Sequence, residues 1–231
     1  MRRVRPPQPT PDERRRLINA SFRRLFPSMT RDMSFTDEEA NYISNPADSA
    51  DRNAALRSLP VTHICDAYAC VGGDAVQFTY LRPQARVDAV QIADTQDNQD
   101  RFSRLVDNVY ACCYEDAWVT MYHMPISEYI SGGMCDQVDF LYMDPPWMRG
   151  PRVWFTPDEL IANLARDVAM PLLARGHLAP MPRYLCFKVS WRLDEPQYAE
   201  ALAALFGREY SVMQSMTYGR SHSIHILERH N

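Results

Sequence analysis

From residue 61 onward the apolar runs of this chain alternate between two kinds. Val61–Ala67, Val87–Ile92, Trp118–Tyr122, Val138–Met143 and Tyr184–Val189 are short, rich in β-branched or aromatic residues, and read as strands. Asp74–Tyr80, Asn98–Tyr110, a stretch capped by Thr156-Pro157-Asp158-Glu159 and reaching about Leu173, and Glu195–Phe206 read as helices. Tyr210–Met216 and Ser223–Leu227 follow as two strands joined through Tyr218-Gly219-Arg220. Such alternation admits few architectures. It predicts an α/β fold with a mostly parallel sheet covered on both faces, the closing pair adding one antiparallel strand. A chain of 231 residues, 46% hydrophobic, can bury one such core.

The first 59 residues have a different character. Residues 1–11 are rich in Pro and Arg and read as an arm, and Thr10-Pro11-Asp12-Glu13 reads as a helix start. Leu17, Ile18, Phe22 and Leu25-Phe26 recur at helical spacing up to Pro27. Further helices are expected over Thr36–Ile43 and Arg52–Leu59, with a loop between. The organisation expected is therefore 1–59, an arm with N-terminal helices, and 60–231, the α/β domain. Residues 1–32 carry a net charge of +6 and the remainder −10. A basic arm on an acidic body fits contact with a polyanion such as RNA or with an acidic partner surface, and equally a solvated helix whose arginines pair with the body.

The six cysteines include no Cys-x-x-Cys, and no Cys/His set has zinc-ligand spacing. Buried free thiols in a reducing, intracellular compartment are the expectation. No apolar run approaches a membrane span, and no apolar stretch follows Met-Arg-Arg as a secretory signal would require.

Two strand ends carry chemistry. Val138–Met143 runs into Asp144-Pro145-Pro146-Trp147. An exocyclic amine is a poor nucleophile while its lone pair is delocalised into the ring. The Asp144 carboxylate and the Pro145 carbonyl can hold its N–H groups, and consecutive prolines stiffen the loop that presents them. Trp147 can stack on the base or pack in the core. Catalysis of this kind is mostly positioning and electrostatics. Upstream, the first strand ends in Cys65-Asp66-Ala67-Tyr68-Ala69-Cys70-Val71-Gly72-Gly73. Glycines beyond a strand's carboxyl end let backbone approach a ligand, and they also suit any tight turn. Asp66 can accept from an ammonium.

Together these segments resemble class I S-adenosylmethionine-dependent methyltransferases, and within them trimethylguanosine synthase-like RNA cap methyltransferases. Asp66–Phe78 reads Asp-Ala-Tyr-Ala-Cys-Val-Gly-Gly-Asp-Ala-Val-Gln-Phe, against Asp-Ala-Phe-Cys-Gly-Val-Gly-Gly-Asn-Thr-Ile-Gln-Phe in that family. Asp144–Gly150 reads Asp-Pro-Pro-Trp-Met-Arg-Gly, against Ser-Pro-Pro-Trp followed by glycines. The resemblance implies a Rossmann-like sheet and S-adenosylmethionine held by Asp66, Gly72 and Gly73. It also implies a guanine, in an RNA cap guanosine, held by Asp144, Pro145 and Trp147 and methylated at N2. The sulfonium donor is already activated, so this chemistry requires no metal.

Three positions depart from that pattern. The first loop glycine is Cys70, the ribose-binding acid after the second strand is Gln91, with Asp94 near enough to substitute, and the Asp near the adenine amine is Pro125. Losing the ribose carboxylate costs about 1.5–3 kcal/mol, or about tenfold or more in affinity. These departures support an alternative, a degenerate methyltransferase fold kept as a binding or scaffold subunit. A second likeness, carried by Phe187-Lys188-Val189 and Arg220-Ser221-His222-Ser223, is to the C-terminal half of ribose 2′-O-methyltransferases. Their Lys-Asp-Lys-Glu set deprotonates a hydroxyl, and Asp144 and Lys188 would supply its central pair. Lys188 is the only lysine, and Ser223 stands where the late Glu is expected. Outside that likeness, Lys188 reads as a surface or strand-end residue.

Overall fold

Successive residues of the central strands face opposite sides of one sheet, and both sides are buried. Ile64, Phe140, Tyr142 and Cys186 face one core, while Cys65, Leu141, Met143, Leu185 and Phe187 face the other. The computed structural model describes residues 9–44, 46, 49–92, 94–150, 153–176, 179–190, 198–218 and 222–230.

The strands are β1 (His63–Asp66), β2 (Arg86–Gln91), β3 (Val119–His123), β4 (Phe140–Met143), β5 (Met148–Gly150), β6 (Val153–Trp154), β7 (Tyr184–Ser190), β8 (Tyr210–Tyr218) and β9 (His222–Arg229). Seven form one sheet in the order β3-β2-β1-β4-β7-β9-β8. The first five in that order are mutually parallel, and β9 runs antiparallel to both β7 and β8. The α/β fold with one antiparallel closing strand is therefore as the sequence pattern predicts. β5 and β6 make a separate hairpin directly after Trp147, which the sequence reading did not anticipate.

The helices are α1 (Pro11–Leu25), α2 (Ala50–Ser58), α3 (Gly73–Leu81), α4 (Gln96–Cys112), α5 (Ile126–Ser131), α6 (Pro157–Leu164), α7 (Met170–Ala174) and α8 (Tyr198–Leu205). Helices α1 to α4 bury Phe22, Leu56, Phe78 and Leu105 in the first core. Helices α5 to α8 bury Tyr129, Leu160, Leu172 and Leu202 in the second. The N-terminal segment thus shares the core of the sheet, with Phe26 stacked on Tyr80 of α3 at 5.0 Å between centroids.

Both predicted starts are reciprocal capping boxes, Thr10 with Glu13 and Thr156 with Glu159. The second helix passes through a π turn, Ala165–Ala169, before α7. Pro171, with no N–H to give to Asp167, sits just behind that widened turn. The helix expected over Thr36–Ile43 is only a 3-10 turn, Glu39–Asn41. Glu39 is buried and accepts from Arg104 of α4, which fixes the segment after one turn. The helix expected from Arg52 begins at Ala50, and α5 was too short to show a period. The start of the helix expected at Glu195 lies outside the described residues, as does most of the Tyr218-Gly219-Arg220 link.

Among the described residues, no helix is long and apolar enough to cross a membrane. All six cysteines are free thiols. In the basic N-terminal segment, Arg14 donates to Asn41, Arg15 pairs with Asp12 and Asp37, and Arg23 pairs with Asp32.

Candidate active site

The parallel registers bring several strand ends together. Asp66 of β1 is level with Tyr142 of β4, and Met143 is level with Phe187 of β7. The residues that follow, Asp144 and Lys188, therefore emerge side by side. Strand order reverses between β1 and β4, where open α/β sheets bind ligands beyond the carboxyl ends of the strands.

Lys188 is 6% exposed and lies within β7, so it is neither a surface nor a strand-end residue. Its ammonium donates to Asp144 Oδ2 at 2.6 Å and to Ser44 Oγ at 2.7 Å. Ser44 in turn donates to Asp74 Oδ2 at 2.6 Å. Asp74 also pairs with Arg52, which is fully buried between the rings of Phe78 and Tyr142 at 5.0 and 4.9 Å. Gln77 closes the network, accepting from Arg52 at 3.0 Å and donating to the Ser44 carbonyl at 3.0 Å. Two cations thus face two carboxylates.

Asp66 is a third carboxylate on the same side of the sheet. It is 1% exposed, and neither oxygen has a hydrogen-bond partner among the described residues. Burial, then the charges of Asp74 and Asp144, hold its carboxyl well above the ordinary range. The Tyr68 amide pulls it slightly down without hydrogen-bond geometry. Asp144 is also raised, by burial, with Lys188 pulling it back and Asp74 pushing it further. Burial alone would raise Asp74 too, but Arg52, Lys188 and Ser44 more than offset this and leave it lowered.

The Asp-Pro-Pro-Trp segment is firmly seated. Pro145 is buried and Pro146 exposed. Trp147 is half-buried against the second core, its carbonyl accepting from the Phe155 amide at 3.0 Å. The Lys188 ammonium lies 5.4 Å from its ring centroid, and its buried Nε1 has no partner among the described residues. Trp147 is therefore both packed and adjacent to the charged centre.

The residues of the loop after β1, and Gln91, Asp94 and Pro125, divide differently. Gly72 has φ +90°, and a Cβ there would lie 2.9 Å from Leu105 Cδ1; a Cβ on Gly73 would lie 2.6 Å from Ile43 Cγ1. Both glycines are thus accounted for by close approach of the chain's own side chains. Cys70 has φ +50°, so the loop keeps a backbone that favours glycine while carrying a side chain. Burial pushes its thiol up to about 11. Gln91 accepts from the Cys70 amide at 2.8 Å and donates to the Ile92 carbonyl at 3.0 Å, so both its polar ends serve the loop. Asp94 is exposed and accepts from Asn98. Pro125 precedes α5, and His123, at the end of β3, stacks on Phe102 at 4.2 Å.

Asp66, Asp144 and Trp147, singled out from the sequence, lie together here, and Ser44, Arg52, Asp74 and Gln77 join them with no local signal in the sequence. Asp74 looks like any acid in a first helical turn, and Ser44 lies 144 residues from the lysine it meets. A cleft lined by His63, Arg86, Tyr122, Met134 and Asp136 opens at the amino ends of β1 and β2, opposite the charged centre.

No protein-family model matches the chain, and no curated protein matches it. Solved structures do. A human methyltransferase 10 domain-containing protein superposes with a TM-score of 0.60 at 13% identity, over 95% of this chain and 98% of that one. The methyltransferase domain of METTL16 gives 0.61 at 13% identity, over 95% and 97%. The methyltransferase domain of a bacterial Hen1 gives 0.54 at 12% identity, over 80% and 98%. At these identities the similarity establishes the fold, a Rossmann-like class I methyltransferase sheet.

Proposed function

We propose that this chain transfers a methyl group from S-adenosylmethionine to a nitrogen of a nucleic-acid base, with RNA, and within it cap guanosine N2, as the preferred acceptor. The observation that carries the reading is the adjacency of two strand ends. Asp144-Pro145-Pro146-Trp147 leaves β4 beside the end of β1, where Asp66 holds a buried carboxylate with no hydrogen-bond partner among the described residues. A carboxylate in that state fits a cationic ligand group, and S-adenosylmethionine carries an ammonium and a sulfonium. The turn built on Gly72 and Gly73 lies just beyond. The ribose end fits less well, because Gln91 is committed to the loop and Asp94 is turned to Asn98. When bound, the cofactor supplies an electrophilic methyl group.

The remaining work falls to the chain's own residues. Asp144 and the Pro145 carbonyl hold the N–H groups of the base and turn its lone pair outward. Lys188 fixes the Asp144 carboxylate through Oδ2. Trp147 supplies an aromatic wall at the same place. Arginines of the N-terminal segment other than Arg14, Arg15 and Arg23, which bond the chain's own Asn41, Asp12, Asp37 and Asp32, supply phosphate contacts.

The Lys188–Asp144 pair also favours a second reading, methylation of a ribose 2′-hydroxyl. That reaction needs an amine able to take a proton, whereas Lys188, the only lysine, already donates to two acceptors. Isotopically labelled methyl transfer to capped and uncapped RNA, followed by nucleoside analysis, separates the readings. N-methylated guanosine is expected, and a 2′-O-methyl nucleoside would move the assignment to the second. Absence of transfer together with no calorimetric binding of the cofactor at millimolar concentration would favour a scaffold role.

A further inference from the structure

We propose that Ser44, from the segment ahead of the sheet, is a positioning residue of the reaction centre that holds the Lys188 ammonium against Asp144. The proposal rests on the reading of Asp144 as the acceptor-binding carboxylate, and it adds a residue that neither motif contains. Ser44 is 6% exposed and its hydroxyl lies between Lys188 Nζ, at 2.7 Å, and Asp74 Oδ2, at 2.6 Å. An ammonium only donates and a carboxylate only accepts, so the hydroxyl must accept from Lys188 and donate to Asp74. The bridge runs one way, from Lys188 through Ser44 to the Asp74 carboxylate that Arg52 also holds.

Several contacts fix Ser44 in this position. Its carbonyl accepts from Gln77, and the preceding Ile43 lies where a Cβ on Gly73 would have to go. Further back, the Ser34 amide and carbonyl both bond Asn108, which also donates to the carbonyl of Val71 in the loop after β1. Residues 34–44 are thereby tied to the cofactor loop at one end and to the lysine at the other. Without the Ser44 hydroxyl, Lys188 loses one of its two described acceptors, and the ammonium is released from a fixed bearing on Asp144.

The single lysine makes a direct test possible, independent of any substrate. Acetylation of Lys188 by acetic anhydride, followed by peptide mass spectrometry, reads the availability of one side-chain amine. Ser44→Ala is expected to accelerate it about tenfold, the size of one charge-assisted hydrogen bond. Ser44→Cys, similar in shape but a poor acceptor, should behave like Ala. Ser44→Thr, bulkier but still hydroxylated, should stay within about twofold of wild type, the reverse of what a purely steric role would give. Rates for Ala and Cys within twofold of wild type would overturn the proposal. Single-turnover methyl transfer should slow in the Ala variant with cofactor affinity unchanged. If no RNA is methylated by the wild type while the acetylation pattern holds, the proposed function fails and the placement of Ser44 stands.

Discussion

Replacing Asp66 with Asn is expected to stabilise the ligand-free protein near neutral pH and to change little near pH 4. In the unfolded chain this carboxyl ionises near the ordinary Asp value of about 4. In the fold, burial and the Asp74 and Asp144 charges raise it well above that value. Between the two values the folded protein keeps a proton that the unfolded chain has lost, so stability falls as pH rises and levels off above the folded value. One proton corresponds to a slope of about 1.4 kcal/mol per pH unit. For a domain of this size 1 kcal/mol shifts Tm by about 2–4 °C, so the variant's advantage should grow by about 3–6 °C per pH unit. The groups acting on Asp66 are Asp74 of α3 and Asp144 after β4, which raise it, and Arg52 of α2 and the Tyr68 amide, which lower it. Asp144, also raised, adds to the loss with the same sign. Asp74, lowered, contributes stability above the ordinary value that is lost on acidification. Both groups are present in either protein and cancel to first order in the difference. Thermal melts of wild type and Asp66→Asn from pH 4.5 to 8 provide the measurement. Parallel Tm curves would refute the argument, since Asp66 would then ionise as an ordinary carboxylate. Saturating S-adenosylmethionine should narrow the gap by supplying the cation that the wild type lacks.

Arg52→Met should destabilise the fold by about 3–5 kcal/mol in urea titration, because it leaves the buried Asp74 carboxylate without its main cation. Cys70→Gly should tighten calorimetric binding of S-adenosylmethionine several-fold while moving stability by no more than about 1 kcal/mol, since relief of the left-handed backbone is offset by a more flexible unfolded chain. Gly73→Ala should push Ile43 off its seat, lower Tm, and speed limited proteolysis within residues 34–44.

The fold was legible because it is written in local pattern. The central strands carry apolar runs, Phe140–Met143 throughout and 184–187 ahead of Lys188, as strands buried on both faces do, and the helices between them carry caps such as Thr156 with Glu159. The position of Asp144-Pro145-Pro146-Trp147 was legible for a related reason, since Asp144 follows a strand directly and two prolines can only stiffen what comes next. Elements held by tertiary contacts did not announce themselves. Thr36–Ile43 has a helical pattern, yet Glu39 is drawn to Arg104 and the chain turns after three residues. Lys188 looked peripheral because one lysine in an apolar run has no local reason to be inside.

The two motif segments also looked unequal from the sequence. Judged by motif, the Gly72-Gly73 loop is the weaker, with Cys70 for Gly and Gln91 for an acid. In the structure Gln91 accepts from the Cys70 amide, so the two departures meet in one hydrogen bond that orders the loop. Asp66 remains there as a buried carboxylate with neither a hydrogen bond nor an ion pair among the described residues, where Arg52 is paired with Asp74 and Lys188 with Asp144. A fold retained only as a scaffold gains nothing from a desolvated, uncompensated carboxylate, which is destabilising wherever it ionises. Its presence at the switch point of the sheet, one strand from Asp-Pro-Pro-Trp, is the reason to expect a cationic methyl donor there, and the pH dependence of Asp66→Asn tests that reason before any substrate is found.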